Sequence, residues 1–182
     1  IGPVVTVAER LKPEEVYAEF LAFRESLGMR ILPLTGGGDV FAHLRGHLTK
    51  PVLMPLLADR DLTERGVEVD LCGHPTKMAA GPAALSLATG AALHPVSIHY
   101  ERVDGSSWKH RIVITWHDRV EVPSTGTTRA KAVAMTQQCA DALGSTIVEH
   151  TADWHMLQLV FLDDLEPRAE QSPRPGQAQG NW

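Results

Sequence analysis

Carboxylates and guanidinium groups crowd the stretch "LLADRDLTERG", residues 56–66, in which Asp59, Arg60, Asp61, Glu64 and Arg65 follow directly on an apolar run. A second stretch, "VVTVAER" at 4–10, has the same form and ends in Glu9 and Arg10. Carboxylates accept from hydroxyls and steady a cationic partner, while arginines hold anions with a planar fork. Such groups behind a buried strand suit a polar substrate, because ligands of α/β sheets sit beyond the carboxyl ends of the strands. A solvated turn would read the same way, and pattern alone leaves the two readings open.

Other constellations carry less. "TGGGD" at 35–39 matches neither the dinucleotide fingerprint nor the P-loop and reads as a flexible turn. His99 and Asp104, in "HYERVD", give the chain's one His-x-x-x-x-Asp spacing, the core of a general base acting on a hydroxyl. The pair spans the exit of a strand into a turn, so its spacing is read as chance. His94, His110, His117, His150 and His155 show no helical pairing, and His74 in "CGHPTKM" is expected in a loop before a helix. Cys72 and Cys139 lie far apart, without zinc spacing, and read as small buried residues of a reducing compartment. No metal site and no Gly-x-Ser-x-Gly elbow is indicated. Trp154 and Met156, in "TADWHMLQ", serve either as a core anchor or as an apolar wall for a lipid chain.

The elements that must position these groups alternate. Strands are predicted at 3–8, 29–34 and 52–58, the last nearly continuous in apolar character and so covered on both faces. Further strands are expected at 67–71, 92–101 and 110–117, the last two joined as a hairpin through "DGSS" at 104–107. Helices are predicted at 13–28, near 40–48, at 81–90 and at 128–150, the last broken near Gly144. From Glu166 the composition turns to Pro, Gln, Gly, Arg and Ser, which predicts a disordered tail over 166–182 behind a single domain at 1–165. The class is α/β, with a mixed, largely parallel sheet flanked by helices. A net charge of −5 over 182 residues argues against a nucleic-acid binder. No apolar run is long enough to span a bilayer. The chain opens at Ile1 rather than Met, which fits a part of a longer product.

Several stretches together resemble one family: "TVAERLKPE" (6–14), "FRESLG" (23–28), "LPLTGG" (32–37), "LADRDLTERGVEVDLCG" (57–73), "GPAALSLATGAALHPV" (81–96) and "ADWHMLQ" (152–158). They are similar, in the same order, to phosphatidylinositol mannoside acyltransferases of actinobacteria, within the bacterial lipid A biosynthesis acyltransferase family. The resemblance implies a glycerolipid-acyltransferase-like fold, bound peripherally to the cytoplasmic face of the plasma membrane. It implies transfer of a long acyl chain, typically palmitoyl, from acyl-CoA to a mannose hydroxyl, with acyl-CoA as co-substrate and no other cofactor. The partners implied are acyl-CoA, phosphatidylinositol mannoside and the membrane surface. The family's catalytic His-x-x-x-x-Asp motif precedes the strand that starts this chain, so the general base is expected outside it, the amino-terminal part of the fold missing. By resemblance, Glu9 and Arg24 belong near the sugar pocket, and Arg60 and Asp61 match the family directly. Asp59 stands where the family usually has Glu, a carboxylate beside the catalytic His, and is one methylene shorter. The alternatives are a non-catalytic relative that binds lipid or acyl-CoA, or an acyltransferase for another glycolipid.

Overall fold

β-Branched residues open the chain as β1 (Val4–Ala8), which leads into α1 (Glu14–Ser26) and then β2 (Met29–Pro33). The computed structural model describes residues 2–9, 12–34, 39–61, 66–105 and 108–165. Arg10, Glu64, Arg65, most of "TGGGD", part of the "DGSS" turn and the predicted tail lie outside these residues. β1 and β2 pair in parallel from Val4↔Met29 to Ala8↔Pro33, with α1 as the crossover. Glu14 and Glu15 sit in the helix's first turn and Arg24 in its last, as the dipole favours. Gly28, at φ +80°, takes the left-handed position just past the helix end.

The segment 52–58 runs along the other edge of β1. Val5 N–H donates to Leu53 O at 2.9 Å, and Leu53 N–H to Pro3 O at 3.1 Å. Thr6 Oγ1 donates to Pro55 O at 2.6 Å. The predicted third strand is therefore reduced to a single parallel bridge at Leu53. Pro55 has no N–H with which to continue a ladder. Leu57 is 99% exposed, so the segment is not covered on both faces.

After α2 (Val40–His47), β3 (Val67–Leu71) and β4 (His74–Met78) form an antiparallel hairpin. Cys72 (φ 58°) and Gly73 (φ 84°) make a two-residue turn with both φ positive, whose twist matches the paired strands. His74 thus opens a strand and does not sit in a loop before a helix. α3 (Gly81–Thr89) follows, then the hairpin β5 (Val96–Arg102) and β6 (His110–Trp116), α4 (Thr128–Glu149), a 3₁₀ turn at Thr151–Asp153 and the short α5 (Leu162–Leu165).

Alternation along β3 turns Val67, Val69 and Leu71 onto α4, where with Met78 and Ala140 they form the main core. Trp154 and Phe161 pack against its margin, which makes Trp154 the core anchor. A second cluster, Ala83, Val120, Ala132 and Met135, joins α3 to α4. Gln137 of α4 accepts from Asp70 N–H and donates to Asp70 O, both at 2.9 Å. Gln138 treats Glu121 the same way, at 2.8 and 2.9 Å. Each amide imitates a sheet bridge and pins an extended segment to the helix.

α4 is unbroken through Gly144. The β3–β4 turn packs directly on this glycine, where a Cβ would stand at contact distance, 3.4 Å from Cys72 N and 3.5 Å from Leu71 Cδ1. The α/β class holds, but two of the three strand pairs are antiparallel, so the largely parallel sheet is not seen among the described residues. Short turns explain this, since each joins neighbouring strands as a hairpin. Among the same residues, no helix is long and apolar enough to cross a membrane.

Both thiols are partly buried against the main core. Burial pushes the Cys139 thiol from 9.0 up to about 11. Cys72 is also raised, first by burial and then by the nearby Asp70 carboxylate. At pH 8 a shift of that size lowers the Cys139 thiolate population on the order of 100-fold. Iodoacetamide is therefore expected to alkylate Cys139 far more slowly in the folded chain than in urea, as peptide mass mapping over time would show.

Candidate functional site

Parallel register brings two acids to one end of the fold. Residues 53–55 run beside 3–6 in the same direction, so Glu9 follows the carboxyl end of β1 while Asp59 follows that of the adjacent segment. Glu9 and Arg60 are exposed, and Asp59 and Asp61 are half-buried. Hydrogen bonds on either side of the bend hold the acidic segment in place. Thr6 ties it to β1 through Pro55, and Asp61 N–H donates to Lys77 O of β4 at 2.7 Å. The "ADRD" bend is thus strapped between the parallel unit and the hairpin. This end of the fold offers carboxylates that accept from hydroxyls and an exposed guanidinium that holds an anion.

Arg24 stands elsewhere. It lies in the last turn of α1, which reverses through Leu27 and Gly28 into the start of β2. That is the amino end of the parallel pair, opposite Glu9, and the Arg24 guanidinium lies 4.2 Å above the Phe20 ring.

The strap leaves no room at Gly66. A Cβ there would come within 2.6 Å of Asp61 O and 3.0 Å of the Asp61 and Lys77 Cβ atoms. Gly66→Ala is expected to cost about 1–3 kcal/mol by overpacking and to move the "ADRD" bend. Urea melts and the amide shifts of residues 59–61 would check both effects.

The His99–Asp104 spacing makes no catalytic pair. His99 is 7% exposed, and its ring stacks on His150 with centroids 3.8 Å apart and planes at 7°. Its Nε2 lies 3.5 Å from Glu101 Oε1, its Nδ1 has no hydrogen-bond partner, and Asp104 is exposed in the turn beyond β5. The Arg111 guanidinium, donating through Nε at 2.7 Å, and then His99 hold the Glu101 carboxyl below its usual range. The stack joins β5 to the end of α4, a long-range contact that no local spacing announces. His43 and His47, not singled out above, stand one turn apart on α2, but no group of three metal-ligating side chains occurs among the described residues.

Residues 2–163 match the family model of bacterial lipid A biosynthesis acyltransferases, and the chain belongs to that family. It is 45% identical, over 90% of its length, to the phosphatidylinositol mannoside acyltransferase of Mycolicibacterium smegmatis, of which it covers 50%. It is 44% identical, over the same share, to the protein of that name from Mycobacterium tuberculosis H37Rv, of which it covers 48%. The chain thus spans about half the length of the curated relatives it matches.

Proposed function

We propose that this chain supplies the acceptor-binding part of an acyltransferase that moves a long acyl chain, palmitoyl in the first instance, from acyl-CoA to a mannose hydroxyl of phosphatidylinositol mannoside. The carrying observation is the parallel register that sets Glu9 and Asp59 at one end of the fold, in a chain whose relatives bear that acceptor in their names. In the reaction a base takes the hydroxyl proton, the oxygen attacks the thioester carbonyl, an ester forms and the thiol of CoA leaves. The base is a histidine outside these residues. Asp59 steadies the imidazolium that forms, Glu9 and Asp61 accept from sugar hydroxyls, and Arg60 meets the lipid's phosphate. Arg24, at the opposite end of the parallel pair, enters this reading on family likeness alone. The enzyme works peripherally on the cytoplasmic face of the plasma membrane, where acyl-CoA and the glycolipid meet.

A second reading, lipid or acyl-CoA binding without turnover, draws on one observation. The single His-x-x-x-x-Asp spacing is not a catalytic pair, because His99 is buried in its stack and Asp104 lies out in the turn. The test joins residues 1–182 to the part of the Mycolicibacterium relative that they do not match, and supplies labelled palmitoyl-CoA with a panel of glycolipids. Ester formation on the mannose of phosphatidylinositol mannoside supports the first reading. A folded fusion that binds acyl-CoA and acylates nothing supports the second, and exclusive use of another sugar lipid moves the acceptor.

A further inference from the structure

The β5–β6 hairpin has two unlike faces. One is seated, with Ser97 and His99 8% and 7% exposed and Ser97 Oγ 3.0 Å from Thr146 Oγ1 of α4. The other face carries the cross-strand pairs Val96↔Trp116, Ile98↔Ile114 and Tyr100↔Ile112, all apolar or aromatic. Ile98, Ile112, Ile114 and Trp116 are each more than half exposed. An antiparallel sheet that turns one face to water alternates apolar inside with polar outside. Here the arrangement is reversed, with Ser97 and His99 on the seated face and the apolar residues on the bare one. At the hairpin's turn end Tyr100, Trp108, His110, Ile112 and Asp153 line a shallow, open depression that continues the bare face.

Size and charge choose the occupant. Two seven-residue strands present roughly 23 Å by 10 Å, about 230 Å² of footprint. A stable dimer needs about 800 Å² from each partner, so a second copy is poorly served by this patch. A lipid surface would favour a basic rim, whereas Glu101, Asp104 and Asp153 here accompany Arg102, Lys109 and Arg111 in a chain of net charge −5. A layer of the same polypeptide needs no minimum area, because its attachment has already met the cost of association. The relatives are about twice as long as the matched segment and must seat their other half somewhere.

We propose that the bare face of β5–β6 is the seat of an apolar layer formed by the half of the family's length that this chain does not match. The proposal rests on family membership and not on the acceptor assigned above, so its test reads structure and not turnover. Residues 1–182, alone and fused to the unmatched part of the Mycolicibacterium relative, are compared by hydrogen exchange and by acrylamide quenching of tryptophan.

In the fusion, amides of 110–116 are expected to gain about tenfold or more in protection, with tryptophan quenching reduced. Ile114→Lys is expected to lower the melting temperature of the fusion and to leave that of 1–182 alone unchanged or raised. Exchange at the aligned segment of the Mycolicibacterium protein itself decides the matter if the fusion does not fold. Equal exchange and quenching with and without the other half would overturn the proposal. So would a dimer of 1–182 dispersed by Ile114→Lys, or phosphatidylglycerol vesicles shielding the face in both forms.

Discussion

Asp59→Asn in the fused, active form is expected to lower kcat for acyl transfer by about 10²–10⁴-fold, with KM changed little. The expectation rests on the role proposed above, in which Asp59 stands beside the base. Before transfer the base is neutral and Asp59 gains little from it. At the transition state the base carries the hydroxyl proton, and a carboxylate beside it stabilises the new positive charge. Asparagine keeps the shape and loses the charge, so the loss falls on the chemical step.

Asp59→Glu keeps the charge on an arm one methylene longer and, in that role, is expected to keep most of the activity. Arg60→Ala, by contrast, removes the phosphate contact proposed above, one made equally before and during reaction, so KM should rise while kcat holds. The steady-state constants of the three variants, with melting curves to confirm folding, separate these roles. Equal activity of Asp59→Asn and the parent would remove Asp59 from the catalytic assignment.

Local chemistry was legible in the sequence; distant contacts were not. α1 and α3 announced themselves by spacing and by Gly28 and Gly90, both of which take positive φ at a helix end. β4 escaped because "HPTKM" holds a proline and a lysine, while the signal for it lay in the two-residue Cys72-Gly73 turn just before. The run at 52–58 was apolar enough for a buried strand, yet Pro55 removes a donor and Leu57 stands in water. Gly144 looked like a helix breaker, yet the helix runs through it and a turn some seventy residues earlier packs there, a contact no local spacing announces.

Glu9 and Asp59 could be placed together from a general rule about strand ends. Arg24 could not, since its position depends on where a helix stops and the chain reverses. The His99–His150 stack joins residues too far apart for any spacing to reveal.

Leu71→Ala is expected to destabilise the chain by about 2–5 kcal/mol. Leu71 is 0% exposed and stands at the centre of the contact between the β3–β4 hairpin and α4. Truncation removes the transfer energy of its branched end and leaves a cavity, because Gly144 opposite has no side chain with which to fill it.

That pairing gives the test a second arm. Gly144→Ala alone gains helix propensity and sets a methyl in contact, 3.4 Å from Cys72 N and 3.5 Å from Leu71 Cδ1, with no room to spare. In the Leu71→Ala background one of those two neighbours is gone, so the same methyl fills part of the cavity. The double variant should therefore be more stable than the sum of the singles by about 0.5–3 kcal/mol.

Urea melts of the four proteins, analysed at common m-value, give the cycle directly. A Leu71→Ala loss under about 1 kcal/mol, well below the range for a closed core site, would mean that the hairpin is not docked on α4 in solution. The strap from Asp61 to Lys77 would then lose its anchor, because β4 holds the "ADRD" bend only while the hairpin itself is held by the helix.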